Sequence, residues 1–204
     1  MTRANVQRAK ILEQAEKFFW EKGYDKTTIK DIAGGSGFEA GNIYYYFPSK
    51  EAILYSILSG QMQELNSSIE NLDKDESTDP VEQLRTVIIE HMKLTLGPWR
   101  ISGMLFDMEL RSLLPEHRKK VVKLRDTYDR ILRKVIQRSI NKGICCASIN
   151  VPVTANHIAS MIVRSRLWFS YKGELSRDEL ANDLFNFVMY GISERPNATK
   201  VKAK

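Results

Sequence analysis

The stretch TTIKDIAGGSGFEAGNIYYYFPSK, residues 27–50, decides how the rest of the chain is interpreted. Thr28 and Asp31 have the spacing of a capping box, which predicts the start of a short helix. The apolar side of this helix is formed by Ile29, Ile32 and Ala33. The glycine-rich segment 34–37 is expected to break it, and a second short helix is expected from about Glu39. Two short helices joined by a tight turn are typical of a helix-turn-helix, whose second helix lies in the DNA major groove.

The second helix carries residues suited to contact with DNA. Ala40 and Gly41 are small, so a base edge can approach closely, and the Asn42 amide can hydrogen-bond adenine. Three tyrosines follow, and because a helix cannot bury three consecutive side chains on one face, at least one hydroxyl should face phosphate. The predicted DNA contacts are Thr28, Ala40, Gly41, Asn42, Tyr44, Tyr45, Tyr46 and Lys50. Lys50 is included because backbone N–H groups at a helix start also favour an anion. The alternative is a small helical hairpin with an aromatic cluster.

These residues resemble the DNA-binding signature of the TetR family of bacterial repressors. The signature is T-x-x-x-I-A, then G-[apolar]-x-x-G-x-[apolar]-Y-x-[Tyr/His]-F, then S-K-E. The matching residues are Thr28, Ile32, Ala33, Gly37, Phe38, Gly41, Ile43, Tyr44, Tyr46, Phe47, Ser49, Lys50 and Glu51. Two positions depart from it: Glu39 stands where the family usually has Ser or Thr, and the Gly34-Gly35 pair replaces better helix formers. Since a carboxylate near phosphate is repulsive, the Glu39 side chain is expected to cap the second helix.

Composition places the chain among soluble globular proteins. It has 204 residues, of which 43% are hydrophobic and 27% charged, and its formal net charge is +6. No apolar run is long enough to span a membrane, and residues 1–14 lack the apolar region of a secretory signal. The two cysteines, Cys145 and Cys146, are too few for a disulfide framework. We therefore expect a cytoplasmic protein without a membrane partner.

The sequence contains no motif of a catalytic or metal site. The three histidines are scattered, and the adjacent cysteines lack C-x-x-C spacing. G-x-S-x-G, Walker A and G-x-G-x-x-G patterns do not occur. We expect no enzyme activity, no catalytic residue, no metal and no cofactor. The cysteines are interpreted as structural thiols, with oxidant sensing as the alternative.

Helical periodicity nearly throughout the chain predicts an all-α fold of about nine helices. Residues 1–49 are predicted to form a three-helix DNA-binding domain that contains the helix-turn-helix. Residues 50–192 are predicted to form a larger ligand-binding and dimerisation domain, which starts with a helix from Lys50 to about Ile69. The polar and basic residues 193–204 are interpreted as a disordered tail.

Two further helices are delimited by strong signals. Pro152 should open a helix that runs to Lys172-Gly173, and the capping box of Ser176 and Glu179 should start the last one. Residues 111–142 hold 11 Lys or Arg against 3 Asp or Glu. Because this basic segment lacks small or amide residues grouped for reading bases, it is interpreted as a solvated helix face.

The last two long helices are apolar and separated by a tight turn. Such a hairpin can pack against its copy as a four-helix bundle, and a two-fold dimer can contact two DNA half-sites at once. We therefore expect a homodimer through these two helices. The alternative is that both helices only complete the core of one subunit.

The family resemblance also implies a small-molecule inducer. The candidate ligand-binding residues are Trp99, Phe106, Tyr128, Met161, Arg164 and Trp168. The segment RSRLWFSYKGELSRDEL, residues 164–180, is similar to a TetR branch that senses fatty- or steroid-derived acyl-CoA thioesters. In such a site Arg164 would meet a carboxylate or phosphate, and Trp168 an apolar group. The alternative is an Arg164 salt bridge at a dimer interface with Trp168 in the core.

Together these features predict a ligand-responsive transcriptional repressor. It would bind a palindromic operator in double-stranded DNA as a dimer and release it when a small molecule, by resemblance an acyl-CoA, binds. The alternative function is a helical protein-interaction module without specific DNA binding. Salt-dependent affinity for duplex DNA distinguishes the two, because neutralising phosphates releases counterions.

Overall fold

A computed structural model of the chain describes residues 2–97 and 100–193. Within these ranges there are nine α-helices and no β-strand. The helices are α1 (Arg3–Lys22), α2 (Ile29–Ser36), α3 (Ala40–Tyr46), α4 (Lys50–Ile69), α5 (Pro80–Thr95), α6 (Arg100–Glu109), α7 (Pro115–Asn141), α8 (Val151–Trp168) and α9 (Arg177–Ile192). Short 3-10 helices follow α4 at Glu70–Asp73 and α6 at Leu110–Ser112. The predicted all-α fold with an N-terminal helix-turn-helix is confirmed. Trp99 and nearly all of the predicted tail lie outside the described residues.

The chain divides into two compact units. Of the described residues, 2–66, 97 and 100–127 form the first unit, and 67–96 and 128–193 form the second. This division differs from the predicted boundary between residues 49 and 50. Most of α4, all of α6 and the first part of α7 belong to the same unit as the helix-turn-helix.

The first unit is held together by one apolar cluster. Its members from α1 to α4 and the intervening loops include Ile11, Ala15, Phe19, Ile32, Ile43, Phe47, Ile53 and Leu54. The same cluster includes Leu105 of α6, Leu113 from the link before α7, and Val121 of α7. Because a three-helix domain of about 50 residues buries little apolar surface by itself, these later helices complete its core.

Helix α2 begins with the predicted capping box. The Asp31 backbone N–H donates to the Thr28 hydroxyl oxygen at 3.1 Å, and the Thr28 N–H donates to the Asp31 carboxylate at 2.8 Å. The helix continues through Gly34 and Gly35 to Ser36, so the break expected within segment 34–37 occurs at the end of that segment. It ends at Gly37, whose φ of +72° lies in the left-handed region that glycine adopts without strain.

Gly35 allows α2 to approach α1 closely. A Cβ atom at this position would lie 2.7 Å from Cε2 of Phe18 and 2.9 Å from Oε1 of Gln14. A Cβ atom at Gly34 would have no heavy atom within 4 Å. Glycine at position 35 therefore has a packing reason, because a larger side chain would collide with α1. No such reason applies at Gly34.

In the second unit, α5 packs against α8 and α9. Helix α8 ends at Trp168, four residues before the predicted end, and α9 starts at the predicted capping box of Ser176 and Glu179. Among the described helices, none combines the length and the apolar composition that a membrane crossing requires.

In the second half of α7 the basic side chains of Arg130 and Lys134 are exposed to solvent, as expected from the sequence, and they also bind another segment of the chain. Arg130 donates to the Asp73 carboxylate at 2.6 Å, and Lys134 donates to the Asp73 carbonyl oxygen at 2.5 Å. Arg138 donates to the Leu72 carbonyl oxygen at 2.6 Å. Basic side chains of α7 thus bind the 3-10 helix that follows α4, and hydrogen bonds from Arg130 and Lys134 lower the pKa of Asp73.

Candidate nucleic-acid interface

One side of α3 packs into the protein and anchors the helix, and the opposite side is exposed to solvent. Ile43 within it and Phe47 directly after it are buried in the apolar cluster of the first unit. The exposed positions are Gly41, Asn42, Tyr44 and Tyr45. At about 100° per residue, these four positions cover about 160° of the helix circumference without interruption. We call this surface the outer face of α3.

The outer face combines open backbone, an amide and two aromatic rings. A Cβ atom at Gly41 would meet no heavy atom within 4 Å, so the backbone of α3 is accessible there. Tyr44 is 55% exposed and Tyr45 83%. Ala40, another predicted contact, is only partly exposed because it packs against the apolar cluster. An amide beside small residues and phenol groups has the chemistry to contact base edges and phosphates.

Tyr46, the third consecutive tyrosine, faces the protein. Its hydroxyl donates to Oε1 of Gln7 in α1, and its ring packs at a tilt against Phe38 with the centroids 6.3 Å apart. It is half-buried. Tyr46 was predicted to contact DNA, but its hydroxyl already joins α3 to α1 through the bond to Gln7.

The ammonium group of Lys50 is directed to the loop between α1 and α2. Its Nζ donates to the carbonyl oxygens of Tyr24, Asp25 and Thr27 at 2.7, 3.2 and 2.9 Å. It also lies 4.3 Å from the centroid of the Tyr24 ring. An ammonium has three N–H donors, and all three are used here. The geometry therefore favours a role in fixing the start of α4 over the predicted contact with phosphate.

Thr28 has the capping role that the sequence predicts, whereas Glu39 lacks the one expected of it. The Thr28 hydroxyl donates to the Asp31 carboxylate and accepts from the Asp31 backbone N–H. This side chain, which was also predicted to contact DNA, therefore caps α2. The expectation that the Glu39 side chain caps α3 is wrong, because Glu39 makes no side-chain capping bond. Its carbonyl oxygen accepts the Asn42 N–H at 3.0 Å instead. Hydrogen bonds from Lys22 and Thr28 lower the pKa of Asp31, which keeps this carboxylate charged.

The predicted ligand-binding residues fall in both units. Phe106 belongs to the first unit and packs partly buried against its apolar cluster. The other described members lie in the second unit, and among them Tyr128 is buried, whereas Arg164 and Trp168 are exposed, Trp168 to 63%. Met161 is half-buried.

Arg164 and Trp168 share one side of α8, as their spacing predicts, but it is the outer side. The inner side carries Ile158 and Ile162, and Arg166 continues it because it lies about 200° around the helix from Arg164. The interpretation of Arg164 as the arginine of an internal pocket is therefore not supported within the second unit. Arg166, which is 4% exposed, is the buried one.

Arg166 belongs to a buried polar cluster with His91 of α5 and Tyr128 of α7, which the sequence did not reveal. His91 Nδ1 and the Tyr128 hydroxyl lie 2.8 Å apart, and their rings are in edge contact at 4.9 Å. Burial, with a smaller contribution from the Arg166 charge, lowers the pKa of His91 to about 3. Burial also raises the pKa of Tyr128. At neutral pH the arginine is thus the charged member of this cluster.

A surface cavity in the second unit involves other residues. It has a volume of about 380 Å³ and is lined by Phe169, Tyr171, Leu175, Ser176, Arg177 and Asp178. None of the five predicted ligand-binding residues that the structure describes lines it.

Comparison with known proteins finds two family models that match the chain. Residues 11–57 match the family model described as bacterial regulatory proteins, tetR family. Residues 77–192, more than half of the chain, match the model of the tetracyclin repressor-like C-terminal domain.

Several characterised proteins are similar over nearly the whole chain. The HTH-type transcriptional repressor KstR2 of Mycobacterium tuberculosis is 24% identical over 191 residues, which are 93% of this chain and 94% of that protein. The solved structure of this ketosteroid transcriptional regulator aligns with a TM-score of 0.83 at 22% identity, covering 94% and 97% of the two chains. The fatty acid metabolism regulator protein of Bacillus subtilis is 26% identical over 186 residues, 91% of this chain and 95% of its own.

A further similar structure was solved with both a small molecule and DNA bound. AibR in complex with isovaleryl coenzyme A and operator DNA aligns with a TM-score of 0.77 at 20% identity, covering 89% of this chain and 97% of AibR. That likeness shows a common fold. With the matches to both family models, the chain belongs to the TetR family of transcriptional regulators and carries the family's helix-turn-helix DNA-binding domain.

Proposed function

We propose that this protein is a cytoplasmic repressor that reads a palindromic operator through the outer face of α3. The observation that carries the proposal is the continuous exposure of Gly41, Asn42, Tyr44 and Tyr45 on a helix anchored by Ile43. Asn42 is proposed to read an adenine, and Tyr44 and Tyr45 to contact phosphates. Thr28, Tyr46 and Lys50 are proposed to position this helix, since their polar groups bind other parts of the protein.

The operator is proposed to be bound by a homodimer formed through α8 and α9. Support comes from large apolar side chains on the outer sides of these helices, namely Leu167, Trp168, Phe187 and Tyr190, all of them more than half exposed. We propose that these side chains form one patch, because a large contiguous apolar surface is uncommon on a monomer and marks an interface. Two recognition helices related by a two-fold axis would address the two halves of a palindrome.

The inducer is proposed to be an acyl-CoA thioester. Support comes from the relatives, one named for ketosteroid regulation, one for fatty acid metabolism and one bound to isovaleryl coenzyme A. The cluster of His91, Tyr128 and Arg166 is proposed to meet a polar group of this ligand. It combines a buried guanidinium with two neutral hydrogen-bonding rings, a set that suits a carbonyl or a negatively charged oxygen.

The proposal of DNA reading is tested by selecting bound sites from random duplex DNA and then comparing variants. Tyr44→Ala should weaken operator binding by roughly tenfold or more, because a charge-assisted phosphate contact is lost. Asn42→Ala should relax the preference at one base pair, at a cost of about 1–3 kcal/mol in discrimination, while affinity for unrelated duplex stays the same.

Lys172→Ala, which removes an exposed lysine of the second unit, serves as the control and should bind the operator as the wild type does. Wild-type affinity in both folded α3 variants would exclude α3 as the reader. The alternative, a protein-interaction module, predicts that no duplex is enriched and that affinity for DNA has no salt dependence.

A further inference from the structure

A contact in the first unit joins the start of α4 to the start of α7. The Glu51 carboxylate accepts hydrogen bonds from the Leu114 backbone N–H at 3.0 Å and from His117 Nδ1 at 2.9 Å. Its second oxygen also lies 2.9 Å from His117 Nδ1. Because an ionised carboxylate only accepts hydrogen bonds, the proton of the imidazole must be on Nδ1. This side chain therefore bonds both a backbone group and a side chain at the beginning of a 27-residue helix.

The surroundings of this contact favour a fixed geometry. The His117 ring stacks on Tyr55 of α4 with the centroids 4.0 Å apart and an interplanar angle of 9°. The side chains of His117 and Glu51 are only 23% and 14% exposed. Glu51 also lies at the positive end of the α7 dipole, where a carboxylate is stabilised.

The contact lies close to the recognition helix along the chain. Helix α3 ends at Tyr46 and α4 starts at Lys50, so only three residues separate them. Phe47 in this link is buried, and the Ser49 hydroxyl accepts the Ala52 N–H at 3.0 Å. The first turn of α4 is thus fixed on one side by Lys50, bonded to the α1–α2 loop, and on the other side by Glu51. With so short a link, the orientation of α4's first turn determines that of α3.

We propose that Glu51 and His117 are positioning residues for DNA recognition: their contact holds the first turn of α4 to the first turn of α7 and thereby fixes α3. A displacement of α7 at His117 is passed to the outer face of α3 through this contact. This inference rests on the proposed function of α3 in reading DNA, and it adds the residues that keep α3 in the binding orientation. It also explains why the first part of α7 shares a core with the helix-turn-helix.

The test separates the hydrogen bond from the ring stacking. His117→Phe keeps an aromatic ring on Tyr55 but cannot donate to Glu51, whereas His117→Asn keeps a donor near the position of Nδ1 and loses the stacking. We expect His117→Phe to reduce affinity for the selected operator roughly tenfold, and His117→Asn to stay within about threefold of wild type. Affinity for unrelated duplex should not change in either variant, because phosphate attraction does not require an exact helix orientation.

A second measurement does not depend on DNA. Amide hydrogen exchange in the free protein should be roughly tenfold faster across residues 40–52 in His117→Phe and near wild type in His117→Asn. Asp73→Asn, which weakens the cluster with Arg130 and Lys134 in the second unit, is the matched control for lost stability. It should lower the melting temperature without changing exchange in this segment or operator affinity.

The outcomes distinguish the two proposals. If wild type selects no operator, the proposed function fails, and the exchange measurement alone decides whether Glu51 and His117 hold α3. If wild type binds its operator and the two His117 variants behave alike in affinity and exchange, the positioning inference is overturned while the reading role of α3 stands.

Discussion

At the scale of single residues, the two adjacent glycines of α2 have opposite surroundings. Gly34→Ala should raise the free energy of unfolding by about 0.5–1 kcal/mol, because alanine has the higher helix propensity and the added Cβ meets no atom within 4 Å. Gly35→Ala should lower it by about 1–3 kcal/mol, because the added Cβ would lie 2.7 Å from the Phe18 ring. Urea unfolding of both variants measures the difference, and each serves as the control for the other.

Equal effects of the two substitutions would contradict this packing between α1 and α2. A gain of stability at both positions would mean that the Phe18 ring, which is only partly buried, moves aside at little cost. The sequence alone cannot separate these glycines, since both depart from the family's helix formers in the same way. What separates them is the position of the Phe18 ring, which belongs to another helix and lies seventeen positions before Gly35 in the sequence.

Lys50 illustrates the same limit. Its place at the start of α4 predicts an anion contact from local rules, and those rules are correct about the helix start. The carbonyl oxygens of Tyr24 and Thr27 that bind its ammonium belong to a loop more than twenty residues upstream. Exposure of Asn42 and Tyr44 was predictable, because short-range periodicity determines which side of α3 faces inward.

At the scale of elements, the residues at which helices begin were predicted better than the side of each helix that faces the core. Prolines and capping boxes mark the starts of α2, α5, α7 and α9 within the sequence itself. The inner side of α8 was misassigned because apolar residues occur on both sides, Ile158 and Ile162 on one and Leu167 and Trp168 on the other. Only the packing of α8 against α5 decides between them.

The orientation of α8 leads to a prediction about how the protein responds to its ligand. If the inner side meets the inducer, Arg166→Lys should weaken acyl-CoA-induced release from the operator by about tenfold or more, because a lysine cannot reproduce the planar, multidentate guanidinium. Arg164→Met on the outer side should leave the release unchanged. The measurement is a titration of the protein–operator complex with a panel that includes isovaleryl-CoA and long-chain acyl-CoA thioesters.

Both variants must first bind operator as wild type does, so that only the response is compared. The reverse order, with Arg164→Met impaired and Arg166→Lys normal, would support the prediction made from the sequence instead. Release by an uncharged apolar compound and by none of the thioesters would contradict the acyl-CoA proposal and leave the repressor proposal standing.

At the scale of the whole molecule, the division into units was the least predictable feature. The sequence predicts a boundary after residue 49 because the helix-turn-helix signature ends there. Leu105 and Val121 come from α6 and α7 to complete the core of the first unit, and such long-range burial leaves no local signal. The all-α fold itself was predictable, since it depends on a periodicity that repeats along most of the chain.

The whole molecule is also the scale at which the dimer is tested. Phe187 and Tyr190 of α9 are 65% and 76% exposed, while Leu184, about one turn before Phe187, is partly buried. A charge at an exposed interface position should block association without disturbing the subunit core. Phe187→Asp combined with Tyr190→Asp should therefore sediment as a folded monomer at micromolar concentration, where wild type should be a dimer.

The matched control is Met108→Asp, because Met108 of α6 is 64% exposed but lies in the first unit. This variant should remain dimeric. The monomeric variant should also lose most of its operator affinity, since one recognition helix gains nothing from the second half-site, yet keep its affinity for unrelated duplex. Wild type that sediments as a monomer would refute the dimer, as would a double variant that still sediments as a dimer. In the second case the apolar outer sides of α8 and α9 would need another partner.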